Sequence, residues 1–320
     1  MRFSSIFKII ILNIFISKMA HSAVCEERYP PDSEECQYVQ ELEQKAEQGD
    51  ESAQFALGSW YAEGRYVKPD YKLAIKWLEK AGKQGSDFSY FILGYHYNYG
   101  ENFPLSRQKA LEWYRRAAAQ GLAEAQDAIG VMFMQGEGVS QDYQQALAWY
   151  RKAARQGLPA AQTHLGIMSA FGRGVAQSDR QAIAWYRKAA KQDFAKAQYQ
   201  LGVAYSTGRG VPENSRNALK WYLKAAEQGF TPAQLALGEI YAHGRQGVPK
   251  DNKQAYIWYY MASIYTEKSK DDCSALIAER NRLKGTLTPD QLSETYAAFD
   301  LIRRKINQSK EAKKIARKKY

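Results

Sequence analysis

The residue types that most often carry catalysis or bind metals are sparse in this 320-residue sequence and do not cluster. Histidines occur at His21, His96, His164 and His243, and none of them has a second ligand at the spacing of a metal site. No Gly-Lys-Ser/Thr element is present to bind a phosphate, and no nucleophile lies beside a base in a recognisable arrangement. We therefore predict no catalytic, cofactor-binding or metal-binding residues.

The three cysteines, Cys25, Cys36 and Cys273, leave more than one redox arrangement open. In an oxidising compartment Cys25 and Cys36 could pair and hold the N-terminal segment in place. Because the number is odd, at least one thiol is free or pairs with another chain. For Cys273 we favour simple burial, since a buried cysteine behaves as a small apolar side chain.

The elements that must position any site recur with a fixed period. One column consists of Trp77, Trp113, Trp149, Trp185, Trp221 and Trp258, with steps of 36 residues and one of 37. A second column, in which an aliphatic residue always precedes the glycine, consists of Gly58, Gly94, Gly130, Gly166, Gly202 and Gly238. A fixed period of this length is the signature of a solenoid.

Each repeat has the pattern of two helices, A and B, joined by a glycine turn. In the first repeat Ala53, Leu57 and Tyr61 share one face of helix A. Gly64 is placed to end that helix, and Asp70 to cap the N-terminus of helix B. The pattern therefore predicts an array of helical hairpins.

Small residues in fixed columns allow helices A and B to approach closely. A larger residue at Gly130 or Gly166 should overpack this contact and cost about 1–3 kcal/mol. We expect the repeated Trp to fill the wedge between neighbouring repeats.

The period stops after Ser263, and residues 264–302 are predicted to form capping helices. One helix is expected over residues 271–284. A second begins at Thr288, with Thr288 as the N-cap and Gln291 reaching back to it. Residues 303–320 follow as a basic tail with nine Lys or Arg residues and one acid. Such a tail is typically disordered and solubilising, and the alternative is a weak contact with anionic lipid or an acidic partner.

The N-terminus has the order of a secretory signal peptide. Basic residues are followed by an apolar run over residues 9–16 and then by small residues near position 22. We predict a signal peptide over residues 1–23 and a periplasmic or secreted protein without stable membrane insertion after cleavage. An uncleaved anchor is the alternative. The N-terminal segment 24–45 precedes the repeats, and residues 24–40 are expected to be irregular.

The formal net charge of +11 comes from the two ends of the chain. Residues 1–23 and 303–320 account for all of it, so residues 24–302 are neutral overall. This distribution predicts no nucleic-acid partner. A basic column on helix B is interpreted as a solvated face and consists of Lys80, Arg116, Lys152, Lys188 and Lys224.

The order Ala-x-x-x-Leu-Gly-x-x-Tyr, Gly-x-Gly-Val, Asp-x-x-x-Ala-x-x-Trp-Tyr-x-x-Ala-Ala-x-Gln-Gly closely resembles the Sel1-like repeat, a relative of the tetratricopeptide repeat. Residues 201–229 match it almost completely, and the resemblance covers six copies over residues 46–263. It implies an all-α fold, a right-handed α-solenoid of helix-turn-helix repeats, here with a C-terminal helical cap.

The resemblance also implies a function. Such arrays serve as protein–protein interaction scaffolds or adaptors, so we expect a protein or peptide partner at the bacterial cell envelope, bound in the concave groove of the solenoid. The alternative is a β-lactam-binding or β-lactamase-like enzyme. Relatives with that association carry cysteines in every repeat, and this chain does not.

The non-core face of helix A, taken at positions i, i+4 and i+7, is mostly apolar or aromatic. The candidate partner-binding residues are Phe55, Phe91, Tyr95, Val131, Met134, Ile167, Tyr199 and Val203. Phe91, Tyr95 and Tyr199 are the expected anchors, since aromatic side chains dominate interface energetics. The alternative is that the curvature of the array packs these residues against neighbouring repeats.

Overall fold

The computed structural model describes residues 30, 33–244, 247–266 and 274–317. Within this part of the chain the fold is all-α, with fifteen helices and no strand. The chain divides into two compact units, Met1–Gln156 and Gly157–Tyr320, called unit 1 and unit 2. The predicted signal peptide, Cys25 and Cys273 lie outside the described residues.

Unit 1 contains a leading helix and three hairpins. Its helices are α1 Glu34–Glu47, α2 Glu51–Glu63, α3 Tyr71–Lys83, α4 Asp87–Tyr99, α5 Arg107–Ala119, α6 Ala123–Gln135 and α7 Tyr143–Arg155. The A helices α2, α4 and α6 pack closely against the B helices that follow them, and α3 also contacts α4, as α5 contacts α6. One continuous core cluster runs from Cys36 to Met132.

Unit 2 contains three further hairpins and two added helices. Its helices are α8 Pro159–Phe171, α9 Asp179–Ala190, α10 Ala195–Thr207, α11 Ser215–Ala226, α12 Thr231–His243, α13 Asn252–Thr266, α14 Ser274–Lys284 and α15 Pro289–Arg317. The added helices α14 and α15 pack on α13. Leu283 of α14 is fully buried, and Phe299 of α15 stacks on Tyr260 with ring centroids 4.1 Å apart.

The helix ends follow the predicted capping residues. The Asp70 carboxylate accepts hydrogen bonds from the backbone N–H groups of Lys72 and Leu73, at 2.8 and 3.1 Å. Gly64 ends α2 in the left-handed conformation, at φ 70°. The capping box before α15 is also confirmed. The Gln291 N–H donates to Thr288 Oγ1, and the Thr288 N–H donates to Gln291 Oε1.

Two helices exceed the expected bounds. Helix α1 begins at Glu34, although residues up to 40 were expected to be irregular. The Ser33 side chain caps it by accepting from the Cys36 N–H, and an apolar stripe that includes Val39 packs it on the array. Helix α15 continues to Arg317, through most of the segment that was interpreted as a disordered tail.

Five glycines of the column meet a tyrosine on the B helix of the same hairpin, and in the first hairpin Gly58 meets Leu78. A Cβ atom built on Gly130 would lie 2.6 Å from Cε1 of Tyr150, a fully buried ring. The same contact occurs in the pairs Gly94–Tyr114, Gly166–Tyr186, Gly202–Tyr222 and Gly238–Tyr259. Only a residue without Cβ allows the two helices to approach this closely, as the sequence predicted for Gly130 and Gly166. The neighbouring Trp221 packs against a cluster that joins α9 of the preceding repeat to α10 of its own.

A glutamine that follows the B helix connects the C-terminal end of that helix to the A helix of the same hairpin. In the third hairpin Gln156 Nε2 donates to Gln126 Oε1 at 3.0 Å and to the Gly121 carbonyl at 2.8 Å. Glutamine pairs with the same spacing occur at Gln84–Gln54, Gln192–Gln162 and Gln228–Gln198. The buried glutamines are therefore structural.

The second hairpin departs from this arrangement at two positions together. Tyr90 stands where the other A helices have glutamine, and Gly82 of the preceding B helix stands where the next four B helices have alanine. A Cβ atom on Gly82 would lie 2.5 Å from Cε1 of Tyr90. Gln120 donates to the Gly82 carbonyl at 2.8 Å. The smaller residue thus makes room for the ring.

None of the helices in the described ranges combines the length and apolar character that a membrane crossing requires. The longest, α15, carries many charged residues along its 29 positions.

Candidate functional site

The most exposed aromatic surface of unit 1 lies on the A helix of its second hairpin. Phe88, Tyr95 and Tyr99 of α4 are 44%, 40% and 60% exposed. Their spacing of seven and four residues places them along one helical face. We call these three residues the aromatic row. Leu105, in the loop after α4, is also 60% exposed.

Ring contacts hold the aromatic row in position. The Tyr95 and Tyr99 centroids are 4.6 Å apart, and Phe88 contacts Phe91 edge to face at 5.8 Å. Phe91 in turn packs on Tyr114 of α5 at 5.5 Å. The row is therefore an outer layer of side chains on the hairpin core.

The Tyr95 hydroxyl remains neutral near physiological pH. Burial, followed by the Glu101 carboxylate and Tyr99, raises the pKa of Tyr95 above its usual value. Tyr95 consequently offers an uncharged ring face with a polar hydroxyl group, a combination that is enriched at protein interfaces.

The predicted partner-binding residues of unit 1 differ in exposure. Tyr95 is exposed, as the prediction required. Phe55 and Phe91 are half-buried and pack against the core cluster. Val131 is half-buried, and so is Met134, whose Sδ accepts a hydrogen bond from the Tyr150 hydroxyl at 3.6 Å. The interface interpretation fits Tyr95 best, whereas the packing alternative describes much of the surface of the other four.

The three predicted residues of unit 2 are all half-buried. Ile167 packs against one core cluster of that unit and Val203 against another. Tyr199 lies beside Tyr222 and Phe230, with ring centroids 5.7 and 5.5 Å away. Burial raises the pKa of Tyr199. The expected anchor Tyr199 is thus largely part of the hairpin packing.

The sequence interpretation missed Phe88 and Tyr99. It followed positions i, i+4 and i+7, and the last of these is buried in several repeats, at Ala62, Ala170 and Ala242. The next residue is exposed in every repeat, at Glu63, Tyr99, Gln135, Phe171, Thr207 and His243. The signal was present as aromatic residues at spacings of three and four along α4.

The histidines have structural contacts. His96 is buried, stacks on Phe103 at 5.0 Å, and its Nδ1–H donates to the Glu101 carbonyl at 3.1 Å. His243 makes a similar contact with the Glu239 carbonyl. Within the described ranges, no group of three or more His, Cys, Asp or Glu side chains is placed to hold a metal ion.

The predicted basic column on the B helices is exposed, and each cation lies over the Trp one turn earlier. The distances from cation to ring centroid range from 4.0 Å for Lys152 over Trp149 to 5.1 Å for Lys224 over Trp221. The other pairs are Lys80 over Trp77, Arg116 over Trp113 and Lys188 over Trp185. The column therefore covers aromatic surface while it remains solvated.

Comparison with protein families gives a match to the Sel1 repeat in six consecutive segments. They span residues 51–86, 88–122, 123–158, 159–194, 195–230 and 231–263. Comparison with curated proteins gives no match.

Two solved structures are similar in sequence and fold. A protective antigen of uropathogenic Escherichia coli, described as having an SLR fold, shares 34% identity over 85% of this chain, with a TM-score of 0.68. The match covers 57% of the antigen, so this chain spans little more than half its length. A Sel1 repeat protein from Oxalobacter formigenes shares 32% identity, with a TM-score of 0.63, over 67% of this chain and 86% of that protein.

The hairpin periodicity, the six matched segments and the two solved relatives agree, and the chain belongs to the Sel1 repeat family.

Proposed function

We propose that this chain is a scaffold of the bacterial cell envelope that binds an extended segment of a partner protein on the A-helix surface, in the concave groove predicted from the repeat pattern. Sel1 repeats generally mediate protein–protein interaction, and proteins built from them are generally non-enzymatic. The aromatic row is the observation that carries the proposal for this chain. Three large rings exposed along one helix are typical of an interaction surface.

The predicted anchors have different parts in this proposal. Phe88, Tyr95 and Tyr99 contact the partner, and Phe91 packs between Phe88 and Tyr114 of α5. The other half-buried candidates contact the partner only through the part of each side chain that remains exposed. In unit 2, Tyr199 has the repeat position of Phe91, and most of its surface packs against Tyr222 and Phe230.

Export to the periplasm or beyond is part of the proposal. Its support is the order of charged, apolar and small residues in residues 1–23. Fractionation of the natural host, followed by mass measurement of the purified chain, tests it. A shortened chain in the periplasmic or secreted fraction is expected, and a full-length chain in the cytoplasm would contradict it.

Site-specific photo-crosslinking in the natural host tests the interaction surface. A benzophenone amino acid replaces Phe88 or Tyr99 in the aromatic row. Matched controls replace Tyr38 and Tyr296, which are 54% and 50% exposed elsewhere. We expect the same crosslinked partner from both row positions and not from the controls.

The substitution Tyr95→Ala should reduce the crosslink from Phe88 while the melting temperature stays close to that of the unsubstituted chain. Crosslinks of equal yield from row and control positions, or none from the row, would contradict the assignment of the surface.

A further inference from the structure

Charge is divided between the two kinds of helix in unit 1. The A helices α2, α4 and α6 contain five carboxylates and no Lys or Arg. The B helices α3, α5 and α7 contain eleven Lys or Arg residues and two glutamates. The five carboxylates are Glu51, Glu63, Asp87, Glu124 and Asp127. The overall neutrality of residues 24–302 therefore conceals an acidic A-helix layer and a basic B-helix layer.

Carboxylates flank the aromatic row. Because positions recur every 36 residues, Glu63 has on α2 the position that Tyr99 has on α4, and Glu124 has on α6 the position of Phe88. Glu101, which is exposed just beyond the C-terminal end of α4, lies close enough to Tyr95 to influence its ionisation. The A helices before and after α4 in the array therefore each carry a carboxylate at a position equivalent to a ring of the row.

The B helices show which groups such rings attract in this protein. There, a Lys or Arg side chain covers five of the six Trp rings of the column at 4.0–5.1 Å. Among the described residues, no Lys or Arg lies over Phe88, Tyr95 or Tyr99. The aromatic row thus presents open ring faces and nearby carboxylates, without a cation supplied by its own A helices.

We propose that the aromatic row and its flanking carboxylates recognise a cationic partner segment, an extended peptide that carries several Lys or Arg side chains. The inference rests on the proposed function, because it names the chemistry of the segment bound at the same surface. Each cation can lie over an open ring and beside a carboxylate, so cation–π attraction and charge complementarity act together. An acidic segment would place like charges against Glu63, Glu101 and Glu124.

Fluorescence anisotropy with the full chain tests the charge class. The probe is a labelled synthetic peptide in which Lys and Arg alternate with Gly and Ser, and its match has Glu at every basic position. The surface variant is Glu63→Gln, Glu101→Gln, Glu124→Gln. The control variant is Glu112→Gln, Glu213→Gln, Glu311→Gln, which removes the same charge from exposed positions elsewhere.

We expect the cationic probe to bind and its acidic match to remain free. The surface variant should lose about tenfold in affinity and part of its salt dependence, whereas the control variant should not. Tyr95→Ala with Tyr99→Ala should lower affinity at every salt concentration. Equal binding of both peptides, or equal affinities of the two glutamate variants, would overturn the inference.

Two outcomes separate this inference from the proposed function. If the row positions crosslink to a partner and the cationic probe does not bind, the surface is retained and the charge class is wrong. If sedimentation shows that the chain self-associates through this surface, and the surface variant alone abolishes it, then the occupant is a second copy with its basic C-terminal segment. That result would overturn the inference that the bound segment belongs to a different protein.

Discussion

Tyr95 and Tyr199 were both expected to anchor a partner, but their side chains have different surroundings. Tyr95 is 40% exposed and touches its neighbours on α4. Tyr199 packs between Tyr222 and Phe230. Removal of a ring costs stability in proportion to the packing that it loses.

We therefore expect Tyr95→Ala to lower the free energy of unfolding by less than about 0.5 kcal/mol and Tyr199→Ala by about 1–2 kcal/mol. Urea denaturation followed by circular dichroism measures both. Equal losses would mean that the aromatic row is more tightly packed than its exposure indicates.

The contact between Gly130 and Tyr150 makes the second prediction at this scale. A methyl group on Gly130 would lie 2.6 Å from Cε1 of a fully buried ring, so the helices must separate or the ring must move. Gly130→Ala should lower the free energy of unfolding by about 1–3 kcal/mol. Gly285→Ala is the matched control, because the nearest atom to its Cβ is 3.4 Å away. An unchanged free energy of unfolding in Gly130→Ala would show that the two helices of the hairpin can separate without loss of stability.

At the scale of the secondary-structure elements, Tyr90 of the second hairpin and Gly82 of the preceding B helix depart from the repeat together. Substitutions at the two positions test whether these departures are coupled by packing. Gly82→Ala should destabilise the chain, because the added Cβ would lie 2.5 Å from the Tyr90 ring. Tyr90→Gln in the same chain should relieve this clash. Gln120 could then donate to the new amide, as Gln156 does to Gln126.

A double-mutant cycle of urea denaturation curves measures this coupling. We expect an interaction energy of about 1 kcal/mol or more in favour of the double variant. Additive effects of Gly82→Ala and Tyr90→Gln would show that the two departures arose independently of packing.

Element type was predictable from the sequence, and several ends were not. The Asp70 cap, the Gly64 terminus and the Thr288–Gln291 capping box follow from local chemistry that a single sequence displays. Helix α1 was partly missed because Pro30 and Pro31 suggested an irregular segment, whereas its stripe around Val39 gains stability only from packing on α2. Helix α15 was cut short at 302 because its basic composition suggested disorder.

At the scale of the whole molecule, the repeat fold could be predicted and the candidate site only in part. The Trp and Gly columns identify the fold because they recur, whereas the aromatic row exists in one repeat and has no periodic signal. Tyr95 was identified from its type and position. Phe88 and Tyr99 required knowledge of the rotation of α4 about its axis, which the core contacts determine. The charge division was hidden because the net charge was summed over residues 24–302, where it is zero.

Buried tyrosines make stability sensitive to alkaline pH. Burial is the first cause of the raised pKa of Tyr114, Tyr150, Tyr186 and Tyr222. In the unfolded chain the pKa of a tyrosine is about 10. Because the pKa of these four residues is higher in the folded chain, the folded state favours the protonated phenols. This contribution is fully present below that pH and is lost as the pH rises above it.

Helix content should therefore stay constant up to about pH 10 and fall cooperatively above it, together with delayed ionisation of the tyrosines. Circular dichroism and tyrosinate absorbance across the same titration measure the two changes. Complete ionisation near the value of the denatured chain, with the helices intact, would contradict the packing described for the glycine–tyrosine pairs.

The pairing of five A-helix glycines with the tyrosine of their own hairpin has a consequence for inheritance. Gly94 meets Tyr114, and Gly202 meets Tyr222, within single segments of about one period. A duplicated or deleted segment carries both members of such a pair with it, so unequal crossing-over leaves no ring of these pairs without its glycine. Descendants of this gene can therefore lengthen or shorten by single hairpins without a compensating change in these pairs, whereas the Tyr90 ring also depends on Gly82 of the preceding hairpin.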